Sequence, residues 1–341
     1  MTKGITNKSK EKMNNQDLTT IELKAQEACE LDTFNTINIV GIKQKVQSML
    51  GMIGRDGIFD EYTKHDIGHI NQMLRLLDIL IPEATLTSLT GADSLLIVLS
   101  IYFHDLGMLV TRNEFKSRDT NTSYKAFRND YLKDIRNAEA LKQLEENERE
   151  RFIYQEFVRK RHGQRISDWL TNSNEEDYDS EVVKIVRGMV EGLKPMFIQD
   201  IAKICVSHNE DDIDDFSKYP VKRSYGLTPQ ENGNVNYAAL ILRTADMMHI
   251  TSDRTPSIEL SLISPTNPVS QLEWSKQSQV SGISAKPMVD AEGNVDSQKQ
   301  SDTLAVSGYF EDEKGYFALM EYLQYARRQL QQSFRVNEKA K

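Results

Sequence analysis

The sequence predicts a mainly α-helical bundle with a small α+β appendage at its C-terminal end. Three observations predict it. From Asn35 to Thr251 apolar residues recur at helical spacing. Within that stretch, Leu95 to Phe103 (LLIVLSIYF) is apolar nearly all round, the pattern of a helix buried inside a bundle rather than lying on its surface. After Thr255 the character changes. IELSLI (258–263) alternates and is β-branched, Pro, Ser, Gln and Gly accumulate up to Asp302, and LAVSGYF (304–310) reads as another strand.

The elements follow in order. Residues 1–34 are polar and are expected to form a loosely held extension. Residues 35–255 make the helical domain. In DIGHINQMLRLLDIL, Ile67, Ile70, Leu74, Leu77 and Ile81 define one apolar stripe, with His69, Met73, Leu76 and Leu80 beside it. Residues 113–150 are rich in charge and poor in apolar periodicity, and read as a polar helical insertion or lid. Later helices carry FVRKRHGQRISDWL, IQDIAKICVSHNE and AALILRTADMMHI, separated by the acidic EDDIDDF and the turn-forming SYGLTPQENGN. Residues 256–341 form the α+β region. They close on an amphipathic helix from about Tyr316 to Phe334, whose aromatic residues are expected to serve as a docking face.

Composition excludes several classes of function. No apolar run reaches the roughly 20 residues of a membrane helix, and the polar N-terminus lacks the apolar core of a signal peptide. Cys29 and Cys205 are too few for a disulfide framework, so the expected compartment is the cytoplasm. A net charge of -9 argues against long nucleic acid as a main partner but leaves room for a small anionic ligand in a local basic pocket. No GxxxxGK[ST] phosphate loop is present.

The chemistry concentrates around the doublet His104-Asp105, which follows the apolar run directly. A buried carboxylate must be neutral, paired or bound to a metal. By helical phase His69, His162, His208 and Asp246 also project inward, each from its own helix. Any one inward histidine is ordinarily a hydrogen-bonded core residue. Four helices that each contribute one such group, around a central helix that ends in HD, are better satisfied together by one shared metal centre. Imidazole with carboxylate suits Mn, Fe, Zn, Co or Ni better than Mg.

The order YTKHDIGHINQML, SIYFHDLGML, RHGQRISDWL, CVSHNE, LRTADMMHITSDR resembles the HD superfamily of metal-dependent phosphohydrolases across roughly Tyr62 to Arg254. The resemblance implies an HD-domain helical bundle in which His69, His104, Asp105 and Asp246 hold one metal. It also implies that His162 and His208 either ligate a second metal, as in dinuclear phosphodiesterases, or assist catalysis, as in mononuclear deoxynucleotide triphosphohydrolases. Asp105 would bridge two metals or orient water. The opening YTxHxxxH is similar to HD modules fused to chaperone-type ATPase domains, and any such partner of this chain is expected to be a separate protein or absent. The missing GYP signature argues against cyclic di-GMP as substrate.

Around this set, His65 and Lys64 are candidates for work near the substrate phosphate, or else a helix-start surface pair. Arg161, Arg165 and Arg254 are candidate phosphate contacts, since guanidinium recognises phosphate bidentately; otherwise they are surface or ion-pair residues. His249 shares a stripe with Asp246, which fits either support behind a ligand or plain packing. Asn209 and Glu210 could orient water or simply belong to a solvated loop. The expected function is hydrolysis of a nucleotide, foremost a (deoxy)nucleoside triphosphate, with nucleotide depletion during phage infection as a biological role. The alternatives are a phosphodiesterase acting on a cyclic or linear (oligo)nucleotide and a non-catalytic nucleotide-sensing module. A homo-oligomer fits any of them.

Overall fold

The structure is a computed structural model that describes residues 18–55, 58–60, 63, 65–135, 137, 141–142, 144–174, 177–255, 263, 268–289, 292–295, 303–310 and 313–340. The helices of the first half are α1 (Thr20–Ala28), α2 (Ile39–Leu50), α3 (Ile67–Leu80), α4 (Glu83–Ser88), α5 (Gly91–Phe103), α6 (Arg112–Ser117) and α7 (Thr122–Lys133). There follow α8 (Glu146–Thr171), α9 (Ser180–Arg187), α10 (Pro195–Ser207), a short ribbon of β1 (Arg223–Ser224) and β2 (Asn232–Gly233), and α11 (Val235–Met248). The C-terminal part contains α12 (Pro268–Ser278), β3 (Val280–Lys286), β4 (Thr303–Gly308) and α13 (Glu313–Lys339). The chain is thus mainly helical with a small α+β C-terminal part, as its periodicities predict.

The centre is α5, buried at every position from Ala92 to Phe103. Each large side chain there contributes about 1.5–3 kcal/mol by leaving water. Its start is fixed by a capping box: the Thr90 hydroxyl accepts from the Asp93 N–H at 3.0 Å, and the Asp93 carboxylate accepts from the Thr90 N–H at 3.0 Å. The second Asp93 oxygen accepts from the Asn234 N–H at 2.7 Å, which ties the start of α5 to the start of α11. Packed around α5 are α1, α3, α10 and α11, while α8 lies across α10.

Two regions depart from the sequence reading. Residues 20–34 are not loosely held: Ile21, Ala25, Ala28 and Phe34 are buried, and α1 packs along α5. The polarity misleads because Glu22, fully buried, accepts from Lys43 Nζ at 2.8 Å and from the Tyr102 hydroxyl at 2.5 Å. The polar insertion is helical as expected, yet its Tyr124 and Leu141 are buried in a second core shared with Met108, Val110 and Ile153, Tyr154 and Phe157 of α8.

In the C-terminal part β3 and β4 pair antiparallel, with Lys286 opposite Thr303 and a bulge between Val280 and Gly282. The last helix extends beyond the expected 316–334 at both ends. It returns to the helical body, where the Tyr322 hydroxyl donates to the Met247 carbonyl at 2.5 Å and Arg243 Nη2 donates to Gln329 Oε1 at 2.9 Å. Of the strand expected at IELSLI, residues 258–262 lie outside the described residues. Among the described residues no single helix is long and apolar enough to cross a membrane.

Candidate metal centre

Five elements deliver six donor side chains to one place. His69 sits in the first turn of α3, whose N-cap Asp66 accepts from the Gly68 N–H at 2.8 Å. His104 is the C-cap of α5 with Asp105 in the turn after it, and His208 is the C-cap of α10. Asp246 lies in the last turn of α11, and His162 lies within α8. Two glycines set the spacing. A Cβ on Gly107 would stand 2.0 Å from the His162 carbonyl oxygen, and one on Gly163 would stand 2.6 Å from Asn209 Oδ1 and 2.9 Å from the Cys205 carbonyl. Only glycine lets the doublet's turn rest on α8, and α8 on α10, at this distance.

The donor atoms form two sets joined by one carboxylate. His69 Nε2 lies 3.3 Å from His104 Nε2, 3.3 Å from Asp105 Oδ2 and 3.4 Å from Asp246 Oδ1. His104 Nε2 lies 3.3 Å from Asp105 Oδ2 and 3.8 Å from Asp246 Oδ1. Donors about 2.1 Å from a common ion stand about 3.0–3.4 Å apart in octahedral or tetrahedral geometry, so the first set has the spacing of a ligand shell. The second set turns on the other oxygen: Asp105 Oδ1 is 3.6 Å from His162 Nε2, which is 2.6 Å from His208 Nε2.

Hydrogen bonds behind the rings aim their lone pairs inward. Nδ1–H of His104 donates to the Ile101 carbonyl at 2.9 Å, and that of His162 to the Arg159 carbonyl at 2.7 Å. His69 is held differently. Nδ1 of His69 faces Nδ1 of His249 at 2.6 Å, while Nε2 of His249 faces Asp253 Oδ2 at 3.0 Å. The carboxylate requires a proton on His249 Nε2, so His249 Nδ1 is the acceptor and His69 Nδ1 the donor. His69 Nε2 is therefore left as a bare lone pair toward the cluster.

The local field favours a cation. The C-terminal ends of α5, α10 and α11 converge here, each with a partial negative charge. Burial opposes ionisation of Asp105 and Asp246, but the neighbouring histidines outweigh it and hold both carboxyls below their ordinary range. Burial likewise opposes a proton on His104, yet Asp105 and then Asp246 raise it to about 9. Burial, aided by His162, takes His208 down to about 3. Asp105 Oδ2 is buried without a hydrogen-bond partner. An orphaned carboxylate oxygen among imidazole lone pairs is what a bound ion would complete, so the cluster can hold a metal.

A fold of this kind, with such a cluster at the ends of its helices, is an HD-type metal domain. A model of the HD-CE family matches residues 59–332, and the chain belongs to that family. No curated protein and no solved structure matches it.

A cavity of about 380 Å³ opens over the cluster, in the range of small-molecule sites. Thr63, His65, Asp105, His162, Asp246 and Arg254 are among the residues that line it. Of the residues expected to contact phosphate, Arg254 lines this cavity. It donates from Nη2 to His65 Nε2 at 3.2 Å and from Nη1 to the His249 carbonyl at 3.2 Å. Arg165 does not line it. Almost fully buried, it pairs with Glu114 at 2.5 Å and donates to the carbonyls of Gly107 at 2.7 Å and Leu109 at 2.9 Å. It clamps the turn after the doublet and has no path to a substrate. Arg161 does not line the cavity either; it stacks over Phe157, 5.6 Å from the ring centre. Lys64 lies outside the described residues. His65 lines the cavity, but Nδ1 donates to the Thr63 carbonyl at 2.7 Å and Nε2 accepts from Arg254, while burial lowers it to about 3. With both ring nitrogens so engaged, it orients Arg254 at the cavity wall.

Sequence reasoning missed Arg159 of α8, Glu273, Lys276 and Gln277 of α12, and Tyr322 and Tyr325 of α13, which also line the cavity. The polar positions of α12 carry no periodic signal that separates them from a solvated face. The aromatic residues of α13 are legible as a docking face, and Tyr322 does dock, although it also faces the cavity.

Proposed function

We propose that this chain is a metal-dependent phosphohydrolase that hydrolyses a nucleotide, foremost a (deoxy)nucleoside triphosphate. The observation that carries the reading is Asp105, which turns one oxygen to each of two donor sets beneath a cavity that also holds Arg254. His69, His104, Asp105 and Asp246 would hold one ion, and His162 and His208 would hold a second with the other oxygen of Asp105. A divalent transition metal such as Mn, Fe, Zn, Co or Ni, bound there, lowers the pKa of water and neutralises phosphoryl charge.

The protein's own groups supply the rest. Arg254, fixed from two sides, presents a planar cation to phosphate oxygens. Arg159, held bidentately by Glu156 at 2.8 Å, adds positive charge at the rim. The walls from α12 and α13 limit the entry of water. In a site with a single ion, His162 or His208 would instead face the phosphate as general acid. Cytoplasmic nucleotide depletion during phage infection is the role we attach to a triphosphohydrolase of this kind, acting as a homo-oligomer or with a separate protein partner.

The test is incubation of metal-loaded protein with a panel of nucleoside triphosphates, deoxynucleoside triphosphates and cyclic and linear oligonucleotides, with products separated by chromatography. Release of triphosphate or pyrophosphate from a nucleoside triphosphate supports the reading. Opening of a phosphodiester with triphosphates untouched would replace it with the phosphodiesterase reading, which the bridging position of Asp105 also favours. Binding without turnover would make the chain a nucleotide sensor.

A further inference from the structure

Asp105 and His162 belong to different elements, so something across the fold must fix the distance between them. Asp105 follows His104 at the end of α5, whereas His162 lies within α8. We propose that Arg165 is a positioning residue that sets the separation of the two donor sets, and with it the binding of the second ion. This inference rests on the two-ion arrangement above and deepens it.

Arg165 stands three residues after His162 on the same helix, close to the same face. It is 1% exposed, and its fork reaches across to the other element. Nε donates to the Gly107 carbonyl at 2.7 Å and Nη2 to the Leu109 carbonyl at 2.9 Å. The turn's own bonds end on different carbonyls: the Met108 N–H donates to Asp105 and the Leu109 N–H to Leu106, both at 2.9 Å. Gly107 itself rests on the His162 backbone, where a methyl would stand 2.0 Å from the carbonyl oxygen. This close contact and the guanidinium together hold the Asp105 turn against α8. The outcome at the centre is the 3.6 Å between Asp105 Oδ1 and His162 Nε2.

The fork is itself locked. Nη1 and Nη2 pair with the two oxygens of Glu114 at 2.5 and 3.1 Å, and Glu114 Oε1 also accepts from the Tyr154 hydroxyl at 2.8 Å. The ring centres of Trp169 and Tyr178 lie 5.3 and 5.4 Å from the guanidinium carbon. Glu114 belongs to the insertion, which thus supplies the counter-ion of the clamp. The two donor sets depend on this clamp unequally. His69, His104 and Asp246 come from α3, α5 and α11, and the chain itself tethers Asp105 to His104. Only the reach of Asp105 toward α8 requires Arg165, and ligand geometry tolerates errors of only about 0.5 Å. Lysine would keep the charge opposite Glu114, but a single ammonium cannot span two carbonyls and a carboxylate as the planar fork does.

The experiment titrates metal-free protein with Mn2+, and the EPR signal of the free ion gives the stepwise dissociation constants. Wild type should bind two ions per chain, and His208→Ala, which lacks a donor of the second set, identifies the constant of the first. Arg165→Lys should weaken the second ion by about 10–100-fold while holding the first within about threefold of wild type. General destabilisation does not produce so selective a loss, and thermal melts of the metal-free protein show that the variant is folded. Glu114→Gln, which leaves the guanidinium whole but loosens its hold, should weaken the second ion by about fivefold or more and carries the test where the lysine variant does not fold. Equal weakening of both ions, or a second ion held within about twofold of wild type by the folded variant, overturns the assignment and leaves the two-ion arrangement standing. A wild type that binds one ion overturns both.

Discussion

The relay behind His69 makes a quantitative prediction about metal affinity. Asp253 accepts from His249 Nε2 at 3.0 Å, and His249 Nδ1 accepts from His69 Nδ1 at 2.6 Å, so a carboxylate two rings away fixes which nitrogen of His69 faces the ion. The perturbation is His249→Phe. The two rings lie nearly in one plane, 13° from parallel with centres 4.9 Å apart, and meet edge to edge through their Nδ1 atoms, so phenylalanine fills the same space while removing the acceptor. His69 is 2% exposed, and its Nδ1–H would then be buried and unpaired. That costs about 1–3 kcal/mol, relieved only when the proton moves to Nε2 and blocks the lone pair. The expected loss of metal affinity is therefore about 10–100-fold. Asp253→Ala should cost less, about tenfold or under, because the Asp253 side chain is 43% exposed and water screens and partly replaces it. Competition against a chelator of known affinity gives the dissociation constants, and thermal melts of the metal-free proteins show that each variant is folded. A His249→Phe protein that binds metal within twofold of wild type would refute the relay.

Four other outcomes follow. Asp105→Ala should abolish turnover and metal retention in a protein that stays folded, since an anion is removed from a buried site; full activity with unchanged metal content would sink the assignment. Gly107→Ala should destabilise by about 1–3 kcal/mol or more and lower metal content, because the new methyl meets the His162 carbonyl at 2.0 Å; a wild-type melting temperature with full metal occupancy would contradict the spacing argument. If His162 and His208 ligate a second ion, each Ala variant should lose about one metal per chain by elemental analysis, whereas unchanged stoichiometry with lost activity would make them catalytic groups. The metal-free protein should lose stability as pH falls below 6.5. Burial, the main cause, lowers His65 and His208 to about 3 and His249 to about 4, so the unfolded chain binds more protons in that window, whereas His104 is charged in both states there. His65→Gln should flatten the loss seen by denaturant titration between pH 6.5 and 4, and an equally steep profile would count against it.

The sequence makes the helical body and the donor cluster legible for one physical reason: both are periodic. A ligand on a core helix must share the phase of the apolar residues that bury it, so His69, His162 and Asp246 stand out against Ile70, Ile166 and Leu242. What periodicity cannot show is which polar group answers another across the fold. Glu22 looks like surface and is a buried partner of Lys43 and Tyr102. Arg165 and Arg254 look alike, each close to a donor in sequence, but the first faces the Glu114 carboxylate inside the insertion and the second faces the cavity. The α12 wall is illegible for the same reason, since its three polar residues gain meaning only from one another and from α13.

Stability alone does not account for the arrangement. A buried carboxylate, a half-buried one and four histidines at the meeting point of three helix C-termini are costly to desolvate, and an apolar cluster of equal volume would fold at least as well. The helices that carry them are already secured elsewhere, by the apolar length of α5 and by the capping box that binds it to α11. The donors are thus surplus to the fold. Their separations of 3.3–3.4 Å from His69 match those of donors around a common cation. The seating of α12 and α13 points the same way. These helices could bury their apolar faces against one another, yet Tyr322 and Gln329 are bonded to α11 beside Asp246, which holds a wall of hydrogen-bonding side chains over the charged centre.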